Sequence, residues 1–130
     1  MIDLPITSLA AFANGLVLLL LTYRVIRFRR RDGVVMGDNN DRALAKAIRG
    51  QANAAEQIPI ALILLGLAEA QGGNAAALTV LAVVFTAGRI MHGIYFAIHG
   101  TPWQLRFYGM IATLAAQAGL LLALLVAVMT

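Results

Sequence analysis

The sequence predicts an all-α fold, a transmembrane four-helix bundle, and three observations predict it. Of its 130 residues, 61% are hydrophobic and only 12% are charged, against about 45–50% and about 25% in a soluble domain. Four apolar stretches each reach the ~20 residues that cross ~30 Å of hydrocarbon. These stretches are dominated by Ala and Leu and show no period-two alternation. Of the two structures that satisfy a backbone in lipid, helix and closed barrel, they therefore fit the helix. The length suits one domain over residues 1–130.

The first helix is expected over roughly Ile6–Ile26. The N-terminal "MIDLPITSLAAFANG" has no basic leader, and its small-residue "AFA" triplet precedes the apolar run instead of following it, which argues against a removed signal peptide. The loop "RDGVVMGDNNDR" follows, with Gly33 and Gly37 as breakers and Asn40 or Asp41 as the cap of the next helix. The second helix begins polar near Asp41 and runs to about Glu69. Paired Gly72-Gly73 stops it, and Asn74 caps a third helix over roughly Ala75–Ile98. Gly100 and Pro102 in "HGTPW" separate that helix from a fourth, about Leu105 to Met129. Trp103 and Tyr108 read as interfacial anchors, and the helical glycines as close helix contacts.

Net charge is +4. Five arginines lie in "RVIRFRRR" (Arg24, Arg27, Arg29, Arg30, Arg31), directly after an apolar run. That is a juxtamembrane cluster suited to the cytoplasmic side and to anionic lipid. No aromatic platform accompanies it, so nucleic-acid binding is excluded. There is no cysteine. Disulfides, thiolate metal sites and cysteine nucleophiles are excluded, and any thiol chemistry must bring its thiol with a substrate. The loop around Gly72 carries no Lys or Arg, whereas the third region carries Arg106. The first and third loops are thus expected in the cytoplasm, and both termini outside.

Polar residues interrupt the apolar helices in a pattern. At about 100° per residue, Arg42, Asn53 and Glu56 fall within about 40° of Arg49 on the second helix, with Gln51 on the opposite side. In "GRIMHGIYF" of the third helix, Arg89, His92 and Phe96 share a face while Tyr95 points elsewhere. Arg106 opens a face continued by Met110, Thr113 and Gln117 on the fourth. Taken singly, Glu56 reads as an ion-pair partner of Arg49 or another arginine, Asn53 as an interhelical hydrogen-bond staple, Asn14 as a packing contact and Glu69 as an interfacial residue. His92 has no second histidine or carboxylate at ligand spacing, so no metal is expected. Taken together, Arg27 or Arg29, Arg49, Arg89 and Arg106 bring cations from four helices to one depth. Only Glu56 and Asp41 are near to oppose them. A compact ligand with carboxylates would complete such a set.

The stretch "AIRGQANAAEQIPIALILL" resembles the second-helix signature of the MAPEG family, the membrane-associated proteins in eicosanoid and glutathione metabolism. The signature reads here as Arg49, Gln51, Asn53, Glu56 and Pro59. The flanking "GDNNDRALAKAIR" and "AGRIMHGIYF" resemble a bacterial branch of that family. The resemblance implies a homotrimer of four-helix subunits in a bacterial inner membrane. It implies glutathione bound between subunits at the cytoplasmic side, with a lipophilic small molecule as the second substrate. Arg49, Asn53 and Glu56 would match residues that hold the tripeptide, and Gln51 an adjoining position. Arg27 or Arg29 would match a first-helix arginine, Arg89 and His92 the third-helix contacts. Arg106 would match the arginine that stabilises the glutathione thiolate in a transferase or peroxidase. Two positions depart from the pattern: Phe96 lies on the face where many members carry a tyrosine, and Gln51 stands where histidine is commoner. A small oligomeric transporter with Glu56 as its coupling carboxylate is the alternative reading, and a non-catalytic membrane scaffold is another.

The orientation is directly testable. A reporter fused to the C-terminus should read periplasmic, because the cluster over residues 24–31 outweighs the uncharged second loop. A cytoplasmic reading would overturn the arrangement with both termini outside.

Overall fold

A computed structural model describes residues 3–130, in four helices. They are α1 (Pro5–Asp32), α2 (Arg42–Ala70), α3 (Ala75–Ala97) and α4 (Trp103–Met129). Each is long and apolar enough to cross a membrane. Around the bundle the order is α1, α2, α4, α3. The first helix packs on α2 and α3, the fourth on α2 and α3, and α2 touches α3 across the middle.

The ends follow local chemistry. Pro5 occupies the first turn of α1, where its missing N–H is not needed. The Asp41 carboxylate accepts from the Ala43 and Leu44 amides at 2.8 and 3.4 Å and starts α2. Asn74 accepts from the Ala77 amide at 2.9 Å and starts α3. Gly33, Gly72 and Gly100, with φ of 66°, 77° and 79°, supply the left-handed turns after α1, α2 and α3. The first helix runs beyond its apolar stretch, to Asp32. The arginines after Ile26 are good helix formers, they suit the negative end of the helix dipole, and nothing breaks the run before Gly33.

Small residues meet inside and large ones face outward. On α2, Ala47, Ala54, Ala61 and Ala68 recur every seven residues and are buried, flanked by Leu44, Ile58 and Leu65. This is a narrow seam of the coiled-coil kind that lets neighbouring backbones approach. By contrast Leu9, Phe12, Leu19, Val83 and Leu122 are each more than 60% exposed. Water would not tolerate so continuous an apolar surface, and hydrocarbon does.

Lipid removes the hydrophobic drive for helix association, so interhelical polar contacts carry more of the specificity. Asn14 of α1 donates to Thr86 of α3 at 2.8 Å. Gln117 of α4 donates to the Gln57 side chain of α2 at 3.0 Å and to the Gln57 carbonyl at 3.2 Å. At the opposite end from the arginines, Glu69 of α2 accepts from the amides of Ile6 and Thr7 at 2.9 and 2.8 Å. It also accepts from the Thr7 hydroxyl at 2.6 Å. A carboxylate from another helix thus serves as the N-terminal cap of α1, where the dipole favours negative charge.

Replacing Glu69 with Ala should lower stability by about 2 kcal/mol, since two helix amides lose a charged acceptor. Glu69→Gln, which keeps one acceptor oxygen, should lose less. Thermal unfolding in detergent measures both. An unchanged midpoint in Glu69→Ala would show that the tie contributes nothing.

Candidate functional site

The site begins with close backbone contacts. A Cβ on Gly88 would lie 2.8 Å from the Gly109 carbonyl oxygen, and one on Gly109 would lie 2.7 Å from the His92 nitrogen. Glycine at both positions lets α3 and α4 touch backbone to backbone. A Cβ on Gly50 would collide with the Cβ of Phe96, so α2 also needs glycine where it meets α3, one turn beyond His92. These approaches bring Asn53, Arg89, His92 and Thr113 within hydrogen-bond reach from three helices.

Arg89 is the centre of that group and is wholly buried, at 0% exposure. Its Nη2 donates to Asn53 Oδ1 at 2.8 Å and lies 3.3 Å from His92 Nδ1. Arginine can only donate, so His92 accepts through Nδ1 and carries its proton on Nε2. Arg89 Nη1 reaches Thr113 Oγ1 at 3.5 Å, while that hydroxyl donates to the Gly109 carbonyl at 2.8 Å. Arg89 Nε is buried without a partner. Among the described residues no carboxylate lies within ion-pair distance of Arg89; the ion pairs present both involve Arg31, with Asp32 and Asp41.

Beside Arg89 opens a cavity of about 490 Å³ between α2, α3 and α4, within the usual range for small-molecule sites. Arg49, Asn53, His92 and Arg106 line its polar part, Phe107, Ile111 and Leu114 an apolar wall. That wall is about half exposed at the bundle surface. The Arg106 guanidinium lies 5.5 Å from the centre of the Tyr95 ring, which also takes Lys46 Nζ at 4.0 Å. The His92 and Phe96 rings pack 4.8 Å apart. The cavity therefore gathers cations and neutral donors, and no acid is among its lining residues.

Of the residues singled out in the sequence, Arg49, Asn53, His92 and Arg106 come together at this cavity, and Arg89 stands behind them. Gln51, Glu56, Arg27 and Arg29 do not line it. Glu56 is exposed on α2 and makes no ion pair with Arg49, from which it is two turns, or about 10 Å, away along the helix. Arg29 donates to the Gly37 carbonyl at 2.9 Å and holds the first loop. Arg27 borders a different groove, between α1 and α3. Tyr95 and Lys46 were not legible as site residues. Their roles depend on contacts made between helices, Lys46 of α2 and Arg106 of α4 both meeting the Tyr95 ring of α3, for which periodicity carries no signal.

Comparison with known proteins agrees with this architecture. The inner membrane protein YecN of Escherichia coli strain K12 and its counterpart from Escherichia coli O6:H1 are each 34% identical to this chain over 111 residues. The match covers 85% of this chain and 83% of each relative. The sequence pattern described as the MAPEG family matches residues 7–126. Four membrane-length helices, the second-helix polar stripe and this near-complete match lead to one conclusion: the chain is a membrane protein of the MAPEG family.

Proposed function

We propose that this protein binds glutathione, or a closely similar small thiol anion, in the cavity between α2, α3 and α4, and presents the sulfur to a lipophilic electrophile from the bilayer. The observation that carries this reading is the unopposed charge: a fully buried Arg89 with neutral partners only, beside a cavity lined by Arg49 and Arg106 and by no acid. A buried cation without a counter-ion is strongly unfavourable, and a ligand with carboxylates relieves it. The donor set fits such a ligand. Two guanidiniums, the Asn53 amide and His92 Nε2–H all suit carboxylate oxygens.

Glutathione supplies the sulfur nucleophile: its S–H gives up a proton to solvent, and the thiolate forms an S–C bond to an electrophilic carbon of the second substrate as that carbon's bond to an anionic leaving group breaks or, at an activated C=C, as the π bond opens and the adjacent carbon takes up a proton. Arg49 and Asn53 hold the peptide, and Arg89 stiffens Asn53 from behind. Arg106, steadied across the Tyr95 ring, favours the anionic form of a thiol placed beside it and so raises the nucleophilic fraction near neutral pH. The half-exposed wall of Phe107, Ile111 and Leu114 gives a lipophilic partner a path from the membrane.

The assembly we propose is a homotrimer in a bacterial inner membrane, with the first and third loops cytoplasmic. Glu56 supports self-association. An exposed carboxylate at the midpoint of a membrane helix is costly against lipid and needs a polar neighbour from a second copy. Family membership supports three as the number of copies, and YecN supports the membrane. The same exposure favours the second reading, a small transporter with Glu56 as its coupling carboxylate.

Two measurements test the site. Millimolar glutathione should raise the thermal midpoint of the purified protein, since a ligand at a hundred times its Kd adds about 2.7 kcal/mol. Arg49→Ala and Asn53→Ala should lose most of that shift yet remain folded. No shift in the unmodified protein would overturn the binding and favour a scaffold. Mixing with glutathione near neutral pH should also give thiolate ultraviolet absorbance, each pKa unit of depression corresponding to about 1.4 kcal/mol. Arg106→Leu should abolish the absorbance and largely keep the stabilisation. If it titrates the bound thiol as the unmodified protein does, Arg106 has no part in activating it.

A further inference from the structure

A second groove runs between α1 and α3 and shares no residue with the anion cavity. Its volume is about 470 Å³. Leu16 and Leu20 of α1 face Ile90 and Ile94 of α3 across a floor at Gly93. Packing does not demand glycine there. A Cβ would sit in ordinary contact, 3.6 Å from Leu21 Cδ1 and 3.7 Å from Val17 Cγ1. Its absence leaves the floor open.

The groove ends at charge. Arg24 and Arg27 close it on the side of the first loop, and the same two residues form a small basic recess with Phe28 and Arg31. The guanidiniums of Arg24 and Arg31 each lie 4.9 Å from the centre of the Phe28 ring. Stacking on one ring holds together two cations that otherwise repel. Arg24 and Arg27 have no acidic partner among the described residues, and Arg24 Nε is buried without a hydrogen bond.

We propose that this groove binds one anionic phospholipid of the surrounding bilayer, its phosphate on Arg24 and Arg27 and an acyl chain along the apolar floor, while Arg31 stays paired with Asp32 and Asp41. Charge complementarity selects the headgroup, because the two unpaired guanidiniums of Arg24 and Arg27 match a phosphate monoanion and repel a cation. Depth selects a lipid over a soluble phosphate. From Phe12 to Arg27 the α1 wall is about 22 Å long, close to the ~20–22 Å of one leaflet with its headgroup layer. The polar end lies where a headgroup lies and the apolar part where the chains lie.

The test uses the whole protein in neutral detergent, with phosphatidylglycerol and phosphatidylcholine of the same acyl chains, and native mass spectrometry to count retained lipid. Phosphatidylglycerol should be retained over phosphatidylcholine by at least about fivefold, the contribution of one arginine at an anionic surface. Arg24→Gln should bring the two lipids toward parity, and Arg24→Lys should keep the preference. Ala13→Phe leaves every charge in place and fills the apolar end of the groove, where the acyl chain would lie; it should cut retention of phosphatidylglycerol to a similar extent. Glycerol phosphate, the headgroup without chains, should not be retained. Parity in the unmodified protein, equal retention of glycerol phosphate, or an Ala13→Phe variant that binds like the unmodified protein would each overturn the proposal. So would an Ala13→Phe variant that changes the mass of the assembly with its lipid content unchanged, which would make the groove an interface between copies. Should Arg24→Gln fail to fold, the lipid pair on the unmodified protein and the Ala13→Phe arm still decide. None of these readouts involves a thiol, so the result stands apart from the glutathione tests.

Discussion

Burying a guanidinium among membrane helices costs about 2.5–3.5 kcal/mol even on the lenient insertion scale, and Arg89 is buried without an acid to offset it. What it has instead is a set of neutral acceptors, one from each of three helices: Asn53 of α2, His92 of its own α3 and Thr113 of α4. Each must stand at one depth and point inward. The register of α2, α3 and α4 relative to one another is tied to that requirement, because a slip of one turn would carry an acceptor about 5.4 Å out of reach. His92 and Thr113 are held in turn by the same network, one in a fixed tautomer and the other by its bond to Gly109. The polar centre thus orders the helices around a charge that it does not neutralise.

Such a centre forms only where backbones come close enough for short side chains to meet. Gly50, Gly88 and Gly109 provide that closeness, each at a position where a Cβ would strike backbone or the root of a neighbouring side chain. The alanine seam on α2 extends the same logic along the helix. Tight packing on this side of the bundle has a counterpart on the other. There Gly93 meets no obstruction, and the space between α1 and α3 stays open to the bilayer. The same residue type closes one gap and leaves another, and what decides is whether a second backbone lies opposite.

Much of this was legible in the sequence where the cause is local. Asp41 and Asn74 cap helices through amides two or three residues away, and both are readable as caps. The Arg49–Asn53 stripe and the Arg89–His92 face follow from helical spacing alone. Legibility ended where the cause lies in another helix. Glu69 reads as an interfacial acid, yet its carboxylate caps a helix whose start is 62 and 63 residues earlier. Tyr95 reads as displaced from the polar face, yet it lies between Lys46 and Arg106. Arg27 and Arg29 read as interchangeable members of a basic run. Because the helix continues to Asp32 they are turned roughly 160° apart, one toward the α1–α3 groove and the other toward the loop carbonyl of Gly37.

The placement of the acids explains why the cavity stays positive. The chain has six acids against ten Lys and Arg. Asp41 is engaged by helix amides and by Arg31, Asp32 by Arg31, Asp38 by the Asn40 amide and Glu69 by the start of α1. All four sit at helix ends or in the first loop, where they terminate structure, and Asp3 is exposed ahead of α1. Glu56 alone lies within a polar stripe of a membrane helix, and it faces outward. A single chain therefore holds Arg49, Arg89 and Arg106 about one cavity with nothing of its own to oppose them. A second copy that brought its Glu56 to the first would supply one carboxylate against three guanidiniums, which leaves the site still cationic. The remaining charge is what a small dianionic or monoanionic ligand can neutralise. A site so built gains more from an anion that arrives than from any residue the chain already carries.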